Sequence, residues 1–148
     1  MTSWHIRLAE RRDVPELLFI EKAQFPEPWT KGMLLDEITN TENRRYTVAV
    51  ENKKIVGYLG LMYVLDEFHI NTIGTLPGEE RRGIAASLLD EGWADAKKRG
   101  MKRATLEVAV SNKPAQALYA KYGFAPVGIR KNYYEKIQED ALVLWADL

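Results

Sequence analysis

The chain has 148 residues, of which 46% are hydrophobic and 28% are charged, as is typical of one globular domain. Its 21 basic and 21 acidic residues balance, which argues against a nucleic-acid binder, because neutralising phosphates normally requires a basic excess. Cysteine is absent and histidine occurs only twice, which argues against disulfides, a metal site and a cysteine nucleophile. We expect one domain over residues 1–148, without a metal and without nucleic acid as a direct partner.

Two segments bear on where the protein is found. The N-terminal Met1–His5 lacks the basic and apolar regions of a signal peptide. The longest apolar stretch, around Ile55–Leu65, is far shorter than the roughly 20 residues that a membrane-spanning helix needs. We therefore expect a cytoplasmic protein that does not use a membrane. The sequence leaves its oligomeric state open.

The first half of the chain predicts one strand, two helices and three more strands. Alternation around Ile6 predicts the first strand. Asp13 is a candidate N-cap, followed closely by Pro15, for a helix that runs to about Ala23. Thr30 is a typical N-cap for the second helix. Strand-like runs separated by turn residues follow at Tyr46–Glu51, Lys54–Val64 and Phe68–Thr75.

The second half predicts a β-α-β unit and two final strands. Apolar residues at helical spacing predict a long helix from Gly83 to about Arg99, which Gly100 ends. The remaining elements are a strand at Ala104–Val110, a helix at Pro114–Tyr122, and strands at Phe124–Lys131 and Ala141–Leu148. The order is β-α-α-β-β-β-α-β-α-β-β. It predicts an α/β fold of the α+β type, with a mixed sheet and helices on both faces.

The loop that opens the long helix is a candidate anion site. Its Gly78–Ala86 segment follows a strand end and combines small residues with Arg81 and Arg82. A helix N-terminus offers free N–H groups and the positive end of the helix dipole to a pyrophosphate. A plain strand-to-helix turn with two solvated arginines explains the same residues.

The segment Glu80–Ala85 resembles the coenzyme-A-binding motif of the GNAT family of N-acetyltransferases, written Q/R-x-x-G-x-G/A. Gly83 and Ala85 match this motif, whereas Glu80 departs from its first position. The resemblance extends over nearly the whole chain and is closest to the RimI branch, which acetylates the N-terminal alanine of a small-subunit ribosomal protein. Further matching segments are Phe25–Thr30, Leu106–Val108, Ser111–Asn112, Ala117–Tyr119, Gly123–Phe124, Gly128, Arg130, Tyr133–Tyr134 and Glu139–Ala141.

The resemblance implies a GNAT-like domain that uses acetyl-CoA as cosubstrate. It implies that Glu107 is the general base and that Tyr119 is the general acid that protonates the departing thiolate. From the residues alone, Glu107 could be salt-bridged and Tyr119 a core aromatic. The implied cofactor-binding residues are Ile73, Gly74, Thr75, Arg81, Arg82, Gly83, Ile84, Ala85, Ala86 and Asn112, although helix capping also explains Asn112.

The sequence gives weaker signals for the residues that would bind the acceptor. Candidates are Glu27, Trp29 and Tyr134, together with the turn at 65–67, and loop packing explains each of them equally well. Ala109 stands where the family's strand often has arginine.

Three functions fit these observations. In the first, the acceptor is a protein N-terminus, such as the N-terminal alanine of a ribosomal protein, and it attacks acetyl-CoA directly in a ternary complex. In the second, the acceptor is a lysine side chain or a small amine. In the third, the chain is an acyl-CoA-binding module without turnover, a reading motivated by Glu80.

Overall fold

The chain folds in the predicted element order. The computed structural model describes residues 3–25, 28–134 and 139–148. A short 3-10 helix, Arg11–Asp13, precedes α1 and was not predicted. The strands are β1 (His5–Leu8), β2 (Arg44–Glu51), β3 (Lys54–Val64), β4 (Glu67–Thr75), β5 (Arg103–Ala109), β6 (Ala125–Tyr134) and β7 (Glu139–Asp147). The helices are α1 (Val14–Gln24), α2 (Lys31–Thr39), α3 (Ile84–Lys98) and α4 (Lys113–Ala120).

The strands within the described residues form one seven-stranded mixed sheet in the order β1-β2-β3-β4-β5-β7-β6. The central pair β4–β5 is parallel, while the other neighbouring strands are antiparallel. The parallel pair requires a crossover connection, which α3 provides. The predicted mixed sheet is therefore confirmed.

Helices cover both faces of the sheet, as predicted. On β3 the glycine Gly57 faces α3, where an added Cβ would lie 2.5 Å from Ile84 Cγ2. The next residue, Tyr58, points to the other face and donates a hydrogen bond to Glu21 of α1. Because neighbouring strand residues alternate between faces, α1 and α3 lie on opposite sides of the sheet. Because Gly57 has no side chain, the first turn of α3 packs closely against β3, the strand that pairs with β4.

The central parallel pair separates halfway along its length. Pairing between β4 and β5 begins at Glu67 and ends where Ile70 lies beside Leu106. The next β4 residue, Asn71, is an extra residue in the ladder with β3, whose register shifts at this point. A bulge of this kind bends its strand. The two strands therefore open beyond Asn71 and leave a gap in the middle of the sheet.

The helix ends follow the sequence signals with one correction. Thr30 and Asn112 cap α2 and α4, accepting hydrogen bonds from Met33 N and Ala115 N respectively. Asp13 occupies the predicted N-cap position of α1, but its carboxylate makes no capping bond to that helix. It is instead held by the Arg7 guanidinium of β1 at 2.8 and 2.9 Å. Within the residues described, no helix has the length and apolar character needed to cross a membrane.

Candidate active site

The gap between β4 and β5 is the mouth of a cleft of about 690 Å³. One wall is the bent part of β4, from Asn71 to Thr75, and the other is β5 from Leu106 to Val108. Residues of α1, of the segment after it and of α4 complete the lining. The bulge and the loss of strand pairing thus create the cavity directly.

A second cavity of about 390 Å³ lies at the N-terminus of α3. It shares Thr75, Glu80, Ala85, Pro114 and Leu118 with the first cavity, so the two adjoin. Its other lining includes four predicted cofactor-binding residues, Arg81, Gly83, Ile84 and Ala86. The loop and the open sheet therefore form one continuous channel.

The start of α3 leaves its first backbone N–H groups without a side-chain cap among the described residues. Gly83 is the N-cap with φ of +89° and offers no side-chain oxygen. This left-handed conformation is readily accessible to glycine. Arg81 also has a positive φ, of +65°. The turn therefore presents uncapped N–H groups and a guanidinium to the second cavity, the arrangement that binds a phosphate group.

Glu80 lines both cavities, and its carboxylate accepts a hydrogen bond from Gly78 N at 2.9 Å. The residue that departs from the family motif therefore folds back on its own loop.

Gly74 has a steric reason to be glycine. It pairs with Tyr58 of β3, and a Cβ at this position would overlap the Tyr58 hydroxyl. The flanking Ile73 and Thr75 also line the cleft. The wall formed by these three residues is thus set by close packing on the strand behind it.

Arg82 differs from the other predicted cofactor residues. It is absent from the lining of both cavities among the described residues. Its guanidinium pairs with Glu51 at 2.7 Å and also with Glu79, and it lies 5.3 Å from the centre of the Trp4 ring. Hydrogen bonds from Arg82 and Ser3 lower the pKa of the Glu51 carboxyl to about 2. Arg82 therefore ties the loop to the first two strands.

Glu107 lies in the β5 wall of the cleft with a side chain that is 16% exposed. Its Oε1 accepts a hydrogen bond from the Arg130 guanidinium of β6 at 3.1 Å. The same guanidinium lies 4.6 Å from the ring centre of Tyr133, another residue of the cleft lining. The ion pair places a carboxylate at the cavity surface, where a group bound in the cleft can reach it.

Tyr119 and Asn112 reach the same cleft from α4. The Tyr119 residue is 4% exposed, and its ring packs edge-on against Phe124 with centroids 5.7 Å apart. The predicted base, the predicted acid and the predicted cofactor asparagine therefore share one cavity. The core packing of Tyr119 and the capping by Asn112 are present as well, so both residues have structural roles in addition.

The acceptor-side candidates are only partly described. Trp29 lines the cleft, whereas Glu27 and the side chain of Tyr134 lie outside the described residues. The turn at 65–67 lies at the opposite end of β4 from the opening, where Lys102 N donates to Asp66 O. It does not contribute to the cleft lining that the described residues form.

Sequence reasoning missed several lining residues. Glu21 and Gln24 of α1, Asn71 and Thr72 of β4, and Tyr133 of β6 all border the cleft. A signal for Glu21 exists, because it lies four residues after the buried Leu17 and so falls on the buried face of the helix. The bulge that exposes Asn71 leaves no comparable mark in the sequence.

Comparisons with known proteins identify the family. Residues 14–124 match the Acetyltransferase (GNAT) family. The chain belongs to the GNAT family. It is 34% identical to the putative ribosomal protein bS18-alanine N-acetyltransferase of Bacillus subtilis, over 97% of this chain and 95% of that protein. It is 36% identical to the ribosomal protein bS18-alanine N-acetyltransferase of Haemophilus influenzae, over 91% of this chain and 92% of that protein.

Solved structures of other proteins have the same fold. The ribosomal-protein-S18-alanine N-acetyltransferase of Escherichia coli superimposes with a TM-score of 0.89 at 29% identity, covering 97% of this chain and 93% of that chain. Ard1 of Thermoplasma volcanium gives a TM-score of 0.92 at 23% identity, covering 99% of both chains. The protein is therefore an acetyl-CoA-dependent N-acetyltransferase. The described residues contain no group of three or more acidic or histidine side chains that is arranged to hold a metal ion.

Proposed function

We propose that this GNAT enzyme acetylates the N-terminal amine of a protein, and that its substrate is a ribosomal protein that begins with alanine. The main structural support is that one cleft, opened between β4 and β5, contains Glu107, Tyr119 and Trp29. The relatives named for alanine acetylation of ribosomal protein bS18 match nearly the full length of the chain. The first observation supports amine acetylation, and the second favours a protein N-terminus over a small amine as the acceptor.

The residues of the channel fit the cosubstrate. The uncapped start of α3 and Arg81 would hold the pyrophosphate. The β4 wall at Ile73, Gly74 and Thr75 would lie along the acyl end, with backbone N–H groups suited to a carbonyl oxygen. When bound, acetyl-CoA supplies the acetyl group as a thioester, whose C–S bond breaks as the C–N bond to the acceptor forms.

Glu107 would take the proton that the attacking amine loses, directly or through a water molecule. An α-amino group has a pKa of about 7.7–8.0, so at pH 7 about a tenth to a sixth of it is already deprotonated and only modest help is needed. A carboxylate at the cavity surface suffices for this task. The Arg130 contact fixes one Glu107 oxygen and so orients the carboxylate within the cleft wall.

Tyr119 would supply the second proton. A phenol has a pKa of about 10 and a thiol one of about 8.5, so proton transfer from the hydroxyl to the thiolate is uphill by about 2 kcal/mol. That cost is small enough for a hydroxyl held close to the departing sulfur to protonate it. The ring is fixed by its edge-on packing against Phe124, which limits the motion of the hydroxyl.

Transfer would be direct, without an acyl-enzyme. The chain has no cysteine that could carry the acetyl group. Both substrates would therefore occupy the channel together, with the cosubstrate entering along α3 and the amine from the side of Trp29 and Tyr133.

The proposal is tested by incubating the enzyme and acetyl-CoA with unacetylated small-subunit ribosomal proteins and locating new acetyl groups by mass spectrometry. We expect one protein to gain an acetyl group on its N-terminal alanine, and no gain with the Glu107→Gln variant. Acetylation confined to lysine side chains would contradict the proposed acceptor. Binding of acetyl-CoA without any product would favour a small amine as acceptor or a binding module.

A further inference from the structure

Glu21 is a buried carboxylate in the wall of the cleft that the proposed reaction leaves without a role. It lies on α1 and is 1% exposed. A carboxylate removed from water in this way is costly unless several donors bind it. The groups that donate hydrogen bonds to Glu21 therefore indicate its role.

Three donors from three different segments meet at this carboxylate. The backbone N–H of Trp29, in the loop after α1, donates to Oε1 at 3.1 Å. The hydroxyl of Thr72 on β4 donates to Oε2 at 3.1 Å, and the hydroxyl of Tyr58 on β3 donates to the same oxygen. One side chain thus joins the acceptor-side loop to the bent strand of the cleft.

The two donors on β3 and β4 lie beside the β4 wall of the cleft, which is proposed to hold the acyl end. Thr72 follows the bulge residue Asn71, and Tyr58 packs directly beneath Gly74. Burial, together with the nearby Glu21 carboxylate, raises the pKa of Tyr58, so its hydroxyl remains a donor at neutral pH. Glu21 therefore holds Trp29 at a defined distance from the β4 wall.

The loop and the strand depend on this carboxylate to different degrees. β4 between Ile73 and Thr75 is also held by its backbone ladder with β3. The other hydrogen bonds of the described loop residues are local: Phe25 N donates to Glu21 O, and Thr30 caps its own helix. Phe25 and Trp29 also pack against the hydrophobic core. Loss of the carboxylate should therefore loosen the Trp29 backbone without detaching its ring, and leave the strand in place.

We propose that Glu21 is a positioning residue for the acceptor, which fixes the Trp29 side of the cleft relative to the strand that holds the acyl end. This inference rests on the proposed function, because it assigns Trp29 to the acceptor amine. It predicts a defect in acceptor binding and no defect in binding of acetyl-CoA.

Two substitutions separate positioning from simple loss of packing. Glu21→Met keeps the side-chain length but offers no oxygen to Trp29 N–H, which can only donate. Glu21→Gln keeps one oxygen for Trp29 and turns its NH2 group toward the two hydroxyls, which can also accept. The glutamine variant should therefore retain much of the function that the methionine variant loses.

Glu16→Met and Glu16→Gln are the matched controls for the two Glu21 variants. Glu16 lies on the same helix and its carboxylate also accepts a backbone N–H, that of Ile55 at 3.1 Å. It is not part of the cleft lining among the described residues. Methionine at position 16 offers no acceptor to Ile55 N–H, so a purely structural effect of weakening the hold of α1 on the sheet would appear in Glu16→Met as well.

The experiment measures kcat and KM for an alanine-starting peptide, the Kd for acetyl-CoA, and hydrogen exchange at the Trp29 amide. In Glu21→Met we expect a roughly tenfold rise in peptide KM and in Trp29 exchange, from the loss of a hydrogen bond to a charged group. We expect kcat and the acetyl-CoA Kd to change less than about twofold. Glu21→Gln should fall in between, and Glu16→Met and Glu16→Gln should match the wild type.

An unchanged KM and unchanged Trp29 exchange in Glu21→Met would overturn the inference. So would a loss of acetyl-CoA affinity as large as the rise in KM. If the methionine variant does not fold, the same comparison between Glu21→Gln and Glu16→Gln decides. If the wild type acetylates no peptide, the proposed function fails, and Trp29 exchange still shows whether Glu21 anchors the loop.

Discussion

The two ends of the channel are lined by different kinds of chemical group. The end proposed for the cosubstrate consists of backbone and small residues: the turn at Gly83, the uncapped start of α3 and the glycine wall at Gly74. The end proposed for the acceptor is lined by side chains from distant segments, among them the ring of Trp29, Glu107 paired to Arg130, and Glu21 bound by three donors. We infer that the first end binds one unchanging ligand, acetyl-CoA. At the second end, single substitutions can change which acceptor is bound.

The difference has a physical origin. A pyrophosphate can be bound by N–H groups that any residue of a suitable turn presents, provided that the turn adopts the required φ values. An amine that must be oriented and deprotonated needs a carboxylate, and a carboxylate at low exposure needs partners to hold it. Substitutions at the two ends should therefore affect different measured constants.

The largest expected effect is that of Glu107→Gln. Loss of the proposed base should lower kcat for an alanine-starting peptide by about 10²–10⁴-fold, with the Kd for acetyl-CoA unchanged. Steady-state kinetics and calorimetry measure the two quantities. Glu67→Gln is the control, because Glu67 also pairs with an arginine, Arg103, but at the far end of the sheet. Equal losses in both variants would contradict the role of Glu107.

Tyr119→Phe should have the next largest effect. A thiolate is already a fair leaving group near neutral pH, so we expect a fall in kcat of about 100-fold, the lower end for general acid catalysis. The control is Tyr122→Phe, which removes a hydroxyl that donates to Asp90 at 2.7 Å. That variant should lose stability and keep its kcat. A wild-type kcat in Tyr119→Phe would exclude the phenol as proton donor.

Gly83→Ala tests the cosubstrate end against the opposite end of the same helix. Gly83 and Gly100 flank α3 with φ of +89° and +81°, and an added Cβ at either position meets nothing within 4 Å. Both alanine variants should lower the free energy of unfolding by about 1–2 kcal/mol, the cost of a left-handed alanine. Only Gly83→Ala should weaken acetyl-CoA binding. Equal Kd values in the two variants would show that the turn does not contact the cosubstrate.

The smallest expected effect separates the two neighbouring arginines. Arg81→Asn should raise the Kd for acetyl-CoA roughly twofold to fivefold, the worth of an exposed charge contact, and asparagine tolerates its positive φ. Arg82→Asn should leave the Kd unchanged, because Arg82 is engaged with Glu51 and Glu79. Titrations at low and high salt measure both. A larger effect at Arg82 would reverse the assignment.

Prediction from sequence succeeded where the signal is local. The element order and the capping roles of Thr30 and Asn112 follow from residues within a few positions of each other. It missed the pairing of the Asp13 carboxylate with Arg7, which belongs to another element. The pairing of Arg82 with Glu51 could not be predicted either, because the two residues lie 31 positions apart in the sequence.

The cleft itself was also beyond the sequence. It depends on one extra residue, Asn71, and on the point at which β4 and β5 cease to pair. Neither leaves a pattern in composition or periodicity. The resemblance to the GNAT family supplied the roles proposed for Glu107 and Tyr119, whereas the contacts of Glu21 could be seen only once α1 lay against β4.

The most direct test of the account uses one peptide in two forms. The peptide begins with alanine and contains an internal lysine, and in the second form its N-terminal amine is chemically blocked. Initial rates and the acetylated position are measured by mass spectrometry with acetyl-CoA present. We predict acetylation of the free α-amine and no product from the blocked peptide. Acetylation of the lysine at equal rates in both forms would contradict the proposed function.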